Sequence, residues 1–229
     1  MTEASWSVAV GGETVSARVD RADNPRRIVF VCSHGAGGNM YDRGMSATAK
    51  ALCERGFTVV RHNFLYTERK SGRPDPMPKL QDCISAVVDR ARAELKPELL
   101  LIGGRSMGGR AASMFAASGF DADGLLLLAY PLHPAGQPAK LRDAHLPNIQ
   151  MPVVCFNGTR DPLCTASLMN EVLTRVGSNW TMHWVEGADH SFHVLKSSGR
   201  TDAQVMEEIA QSAKAFVDGI HSVPDKSGR

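Results

Sequence analysis

Short uninterrupted apolar runs alternate with amphipathic stretches along nearly the whole chain. Ser5 to Val10 and Thr14 to Val19 alternate apolar with polar residues around Gly11-Gly12, which predicts an antiparallel hairpin. Ile28-Val29-Phe30-Val31-Cys32 is apolar throughout and rich in β-branched residues, as expected of a strand covered on both faces. Further strands are predicted at Phe57 to Val60, Leu99 to Ile102, Gly124 to Tyr130, Val153 to Phe156 and Thr181 to Val185. Between them, Tyr41 to Arg55 carries Met45, Ala49 and Leu52 at helical spacing, with Gly56 as its stop. Helices are also predicted at Lys79 to Leu95, Met107 to Ala117, Thr165 to Val176 and Asp202 to His221. Alternation of this kind predicts an α/β fold, a mostly parallel twisted sheet with helices on both faces and right-handed crossovers. The expected organisation is one domain over 1–222 and a flexible tail over 223–229.

Two connections are long for a compact domain, Phe64 to Pro78 and Pro131 to Pro152. Both leave from the carboxyl ends of strands, the edge at which open α/β sheets bind ligands. Both are therefore expected to wall a site.

Composition narrows the function classes. At 229 residues a single fold buries roughly 70% of the surface its unfolded chain exposes. With 43% hydrophobic and 22% charged residues, disorder is excluded as the main state. Lys and Arg number 26 against 24 Asp and Glu, a balance that argues against a nucleic-acid partner. The longest apolar stretch, Leu125 to Tyr130, is far short of the ~20 residues of a membrane span. No signal-peptide pattern opens the chain, and the five cysteines lack CxxC or Cys/His metal spacing. The expectation is a cytoplasmic protein with reduced thiols, no membrane association, no metal and no organic cofactor.

The chemistry concentrates at Gly104-Arg105-Ser106-Met107-Gly108, a G-x-S-x-G pattern. Alone it is weak, arising by chance in roughly one chain in ten of this length. Its position is what matters, directly after the strand Leu99 to Ile102 and directly before a helix. That is the setting of a nucleophile elbow, a strained turn that lifts the serine hydroxyl off the sheet edge. Side chains at positions 104 and 108 would collide there. A serine hydroxyl needs a base, and the partners follow an elbow serine in the order acid, then histidine. Asp161 falls just past the strand Val153 to Phe156, and His190 just past Thr181 to Val185. His193 competes with His190, while Asp189 reads as a loop-capping residue. Ser33-His34-Gly35-Ala36-Gly37-Gly38 follows another strand and offers a backbone N–H to an oxyanion, Ala36 as first choice and Gly37 as second. The N–H of Met107 would complete the oxyanion hole, and His34 would brace the turn.

These residues resemble the α/β hydrolases over essentially the full chain. Gly103 to Arg110 and the phrases Ala129-Tyr130-Pro131-Leu132-His133-Pro134, Leu141-Arg142-Asp143-Ala144-His145-Leu146 and Gly158-Thr159-Arg160-Asp161-Pro162 narrow the likeness. They are similar to the branch of testis-expressed protein 30, subunit three of the NSL histone-acetyltransferase complex and bacterial proteins labelled dienelactone-hydrolase-like. The resemblance implies an α/β-hydrolase fold and a catalytic triad of Ser106, Asp161 and His190. True dienelactone hydrolases use a cysteine nucleophile where this chain has Ser106, so that substrate does not carry over.

Only about twenty residues separate Tyr130 from Val153, too few for a helical cap domain. The site is thus expected to be open, lined by Asn39, Met40, Phe64, Leu65, Tyr66, Leu132, His133 and Phe192. Arg69, Lys70, Arg73 and Lys79 in the first long connection, with Arg105 and Arg110 beside the serine, would form a basic rim that attracts carboxylate-bearing substrates. The competing reading is a solvated loop with Arg105 tied to local groups. The expected function is a serine esterase acting on a small-to-medium carboxylic ester or thioester. A peptidase or acyltransferase with the same triad, or a non-catalytic interaction module on the same fold, stands as the alternative.

Overall fold

The N-terminal hairpin forms one edge of an eight-stranded sheet in the computed structural model, which describes residues 2–221. The tail expected at 223–229 lies outside the described residues. β1 (Thr2–Val10) and β2 (Glu13–Arg21) pair antiparallel, and Gly11 and Gly12 take the positive φ that their turn demands. β2 pairs antiparallel with β4 (Phe57–His62). From β4 onward the sheet is parallel, through β3 (Ile28–Ser33), β5 (Leu99–Arg105), β6 (Gly124–Leu128), β7 (Val153–Gly158) and β8 (Trp180–Val185).

The period of two along each central strand divides the interior into two cores. Val29 and Val31, Leu100 and Ile102, Leu125 and Leu127 face α3 (Met77–Leu95) and α4 (Met107–Ala117). Ile28, Phe30, Leu99, Leu101, Leu126 and Leu128 face α1 (Arg43–Cys53) and α6 (Asp202–His221). Unbroken apolar strands are what this double burial requires. All five cysteines are buried free thiols, and burial pushes those of Cys32 and Cys53 up to about 12.

Differences from the expected elements have local causes. The strand at Gly124 ends at Leu128 because Ala129 turns to φ +52°, donating its N–H to Phe156 O at 2.7 Å. The connection after Phe64 contains a helical turn, α2 (Leu65–Glu68), and α3 begins at Met77 with a proline in its first turn, where no intrahelical N–H is needed. α5 is shorter than expected, Ala166–Leu173. Between β6 and β7 the chain forms only a 3-10 turn, Leu146–Asn148, so no helical cap is inserted there.

One ion pair fastens the antiparallel edge to the parallel sheet. Arg61 of β4 donates from Nε to Asp20 Oδ2 at 2.7 Å and from Nη2 to Oδ1 at 3.1 Å. Its Nη1 donates to Met40 O at 2.6 Å and Ser46 Oγ at 2.9 Å, tying in the loop after β3 and the start of α1. The two side chains are 4% and 1% exposed, so the charges are compensated by each other rather than by water. Asp20→Asn should therefore destabilise the fold by about 3–5 kcal/mol, read as a lowered urea midpoint, because it strands a buried guanidinium. A loss below about 1 kcal/mol would contradict this reading.

His62 makes a second prediction. Its Nδ1–H donates to Asn63 O at 3.0 Å and its Nε2 accepts from Ser33 Oγ at 2.9 Å, so the ring is held neutral. Burial lowers it to about 4. The unfolded chain then binds the extra proton first as pH falls, so stability should decline from about pH 6.5 toward pH 4. His62→Gln should flatten that decline in chemical denaturation measured across the window; an unchanged slope would assign it to other groups.

Candidate active site

Ser106 sits between β5 and α4 with φ +50° and ψ −116°, a strained conformation for a residue with a Cβ. Its N–H donates to Leu128 O at 2.9 Å, and its carbonyl accepts from Arg110 N at 2.9 Å. A Cβ on Gly104 would lie 2.5 Å from Ser33 N, and one on Gly108 2.5 Å from Ser33 O and 2.6 Å from His34 O. The two glycines are thus required by the end of β3, the strand against which the turn packs.

The expected acid and base arrive from β7 and β8. His190 Nδ1–H donates to Asp161 Oδ2 at 2.8 Å, and Nε2 accepts from Ser106 Oγ at 3.0 Å. A carboxylate only accepts, so Asp161 selects the tautomer whose lone pair faces the serine. Asp161 is itself held by two donors, Asn157 Nδ2 to Oδ2 at 3.1 Å and Leu163 N to Oδ1 at 2.8 Å. Asn157, buried at the end of β7, also bonds Tyr130 N and O at 3.1 Å and so links the ends of two strands to the acid. His193 is not part of this chain of bonds; its Nδ1 pairs with Asp202 at 3.0 Å. Asp189 accepts the N–H groups of Ser191 at 2.7 Å and His193 at 3.0 Å, capping the loop that carries His190.

The glycine-rich turn after β3 is fixed from behind by His34. Nδ1–H donates to Gly35 O at 2.8 Å, while Nε2 accepts from Phe64 N at 3.3 Å, and burial lowers the pKa of the ring. Gly35 O also accepts from Tyr66 OH at 3.5 Å and Gly38 N at 3.2 Å. In a trans peptide the N–H points opposite to the C=O, so the N–H of Ala36 is directed away from His34. Among the described residues it meets no acceptor. As the first residue of α4, Met107 has an N–H with no intrahelical acceptor.

Ser106, His190 and Ala36 border a cavity of about 860 Å³. Its walls are the starts of α1 and α6, with Asp42, Arg43 and Gly44 on one side and Asp202, Ala203 and Met206 on the other. Phe192, Leu163 and Arg105 complete it. Of the lining residues expected from the sequence, Phe192 is there. Met40, Phe64, Leu65, Leu132 and His133 are buried elsewhere: Phe64 packs edge-on to the His34 and His62 rings, and His133 bonds Thr165 Oγ1 at 2.9 Å. Asn39 turns back to hold Asp42 at 3.0 Å, and Tyr66 borders a separate cavity of about 560 Å³ with Arg69 and Arg73. Of the expected basic rim, Arg69 is paired with Asp75 at 2.6 Å and only Arg105 reaches the serine cavity. Among the described residues no group of three His, Cys, Asp or Glu is arranged to hold a metal. No described helix is long and apolar enough to cross a membrane.

Solved structures share this architecture. A Xanthomonas campestris member of the α/β serine hydrolases without lid superposes with a TM-score of 0.74 at 22% identity, over 93% of this chain and 94% of its own. Est1E from Butyrivibrio proteoclasticus, with ferulic acid bound, matches at 0.73 and 17% identity over 93% and 99% of the two chains. A dienelactone hydrolase from Anabaena variabilis matches at 0.73 and 19% identity over 95% and 97%. At these identities the likeness establishes the fold, and residues 26–218 match the family described as alpha/beta hydrolase domain. The chain belongs to that alpha/beta hydrolase family.

Proposed function

We propose that this hydrolase-family chain is a serine esterase that cleaves a small-to-medium carboxylic ester or thioester through an acyl-enzyme on Ser106. The reading rests on the hydrogen-bonded chain from Ser106 through His190 to Asp161, opening into a cavity from a strained turn. Ser106 Oγ attacks the substrate carbonyl carbon as His190 Nε2 takes its proton. The N–H groups of Ala36 and Met107 receive the developing oxyanion, in a place where no protein acceptor competes for them. Collapse of the tetrahedral adduct breaks the bond to the leaving group, which takes the proton from His190. A water molecule then repeats the sequence on the acyl-enzyme, its proton passing to His190 and then back to Ser106. Asp161 orients the imidazole and stabilises its charged form without taking the proton.

The ferulic acid bound to the Butyrivibrio relative is a carboxylic acid, the product class that ester hydrolysis releases, and supports the same class here. The phrases from Gly103 to Arg110, 129–134 and 141–146 support placement in the branch of testis-expressed protein 30 and NSL subunit three.

Ser106→Ala preserves the Cβ and its strain, so it should abolish fluorophosphonate labelling and leave the thermal midpoint within a degree or two. Labelling that persists would sink the assignment. With p-nitrophenyl esters of graded acyl length, Asp161→Asn should lower kcat on the order of 10³–10⁴-fold, the cost of the wrong tautomer in a Ser-His-Asp triad. Turnover within tenfold of wild type would transfer the orienting role to another group.

A further inference from the structure

Several described arginines meet a carboxylate, whereas Arg105, Arg110 and Arg142 do not. Arg61 sits on Asp20, and Arg18, Arg69, Arg175 and Arg200 on acidic partners. Arg110 of α4 faces away from the serine cavity and carries no substrate argument. Arg105 is different, because it precedes Ser106 in the chain and borders the same cavity. Among the described residues no carboxylate lies within 4.0 Å of it, and its one hydrogen bond runs from Nη2 to His190 O at 2.7 Å. The neighbouring acids are already occupied. Asp42 accepts from Asn39, Asp189 from two loop amides, Asp202 from His193 and Val194, and Asp161 from His190.

The guanidinium is nevertheless held in place. One side lies against the Phe192 ring, 5.7 Å from its centroid. The other lies against Gly44 of α1, where an added Cβ would come 2.5 Å from Nη1 and 3.3 Å from Cζ. Gly44 has no positive φ, so the backbone does not call for glycine; the space is needed by Arg105. A half-buried cation fixed between two walls, with donors left over and no carboxylate in contact, is stabilised by an anion that enters the cavity. Burial lowers the pKa of Arg105, outweighing the opposing pull of Asp189, Asp161 and Asp42, none of which reaches contact distance.

From this cavity geometry we infer that Arg105 is a specificity residue that binds a carboxylate group carried by the substrate. The inference rests on the reading of Ser106 as nucleophile and names the substrate class: esters or thioesters with an acidic group near the scissile carbonyl. The carboxylate lies on either the acyl or the leaving-group side, and two ester pairs separate these sources. The acyl pair is the p-nitrophenyl monoester of adipic acid and p-nitrophenyl 6-methylheptanoate, in which isopropyl replaces carboxylate. The leaving-group pair is 4-carboxyphenyl butyrate and 4-isopropylphenyl butyrate.

Binding is measured by calorimetry on Ser106→Ala protein, which holds the esters without cleaving them. At least one carboxylate ester should bind tenfold or more tightly than its isostere, about 1.4 kcal/mol. Adding Arg105→Gln should bring that pair within twofold. Gly44→Ala, which keeps the charge but displaces it, should cut the preference severalfold and covers the case in which Arg105→Gln does not fold. Equal binding of both pairs, no binding of either acid at millimolar concentration, or a preference that survives Arg105→Gln overturns the inference. Failure of the hydrolase reading is separate: wild-type protein would then neither turn over the neutral esters nor be labelled at Ser106.

Discussion

The site depends on one close approach of backbone to backbone, where the first turn of α4 meets the end of β3. Gly104 and Gly108 lie so near Ser33 and His34 that neither position has room for a Cβ. That contact forces the chain through the positive φ of Ser106, a conformation that costs of order 1–3 kcal/mol and needs its surroundings to hold it. The same contact sets where the Gly35–Ala36 turn begins, because Ser33 pairs with Gly104 across the sheet. Ser106 and the Ala36 N–H are therefore positioned by one piece of packing and cannot drift independently.

His190 is placed by hydrogen bonds rather than by sterics. Asn157 and Leu163 fix Asp161, Asp161 fixes the His190 ring, and Asp189 folds the loop behind it. A bridge between Ala188 and Val194 closes that loop, and Phe192, buried at φ +59°, anchors it in the apolar core. His34 does the equivalent task for the opposite turn. In both cases a buried polar group with its partners in reach helps to hold the loop.

What the sequence revealed and what it hid divide along this line. Apolar runs and the glycines around Ser106 are local signals, and they located every strand of the sheet and the serine turn. Asp161 and His190 were legible because each lies just past a strand whose end is known. The walls of the cavity were not, because they are made by the starts of α1 and α6, which lie far apart in the chain and meet only when the two helices pack on each other. Phe64 and Tyr66 read as wall residues since their connection is long, yet His34 and His62 offer them rings to pack against, and α2 turns them inward. Arg61 and Asp20, 41 residues apart, carry no pattern that announces their pairing. Asn157 is one polar residue at the end of an apolar strand, a signal visible only once the strand has neighbours.

The charge balance takes its meaning from the same geometry. A net charge of +2 gives no field that would draw in an acidic ligand, so any preference for one must come from a group at the site itself. Among the described residues no helical cap lies between β6 and β7 to close over a ligand and strip its water. The desolvation that strengthens a charge–charge contact must then already exist in the walls, and Phe192 and Gly44 provide it on the two sides of Arg105. Arg105 also holds the carbonyl of His190, so the group that would meet an anion is bonded to the residue whose ring faces Ser106. On the proposed reading, a fixed cation one residue from Ser106 would tie recognition of charge to alignment of the scissile carbonyl, which an open cavity has few other means to achieve.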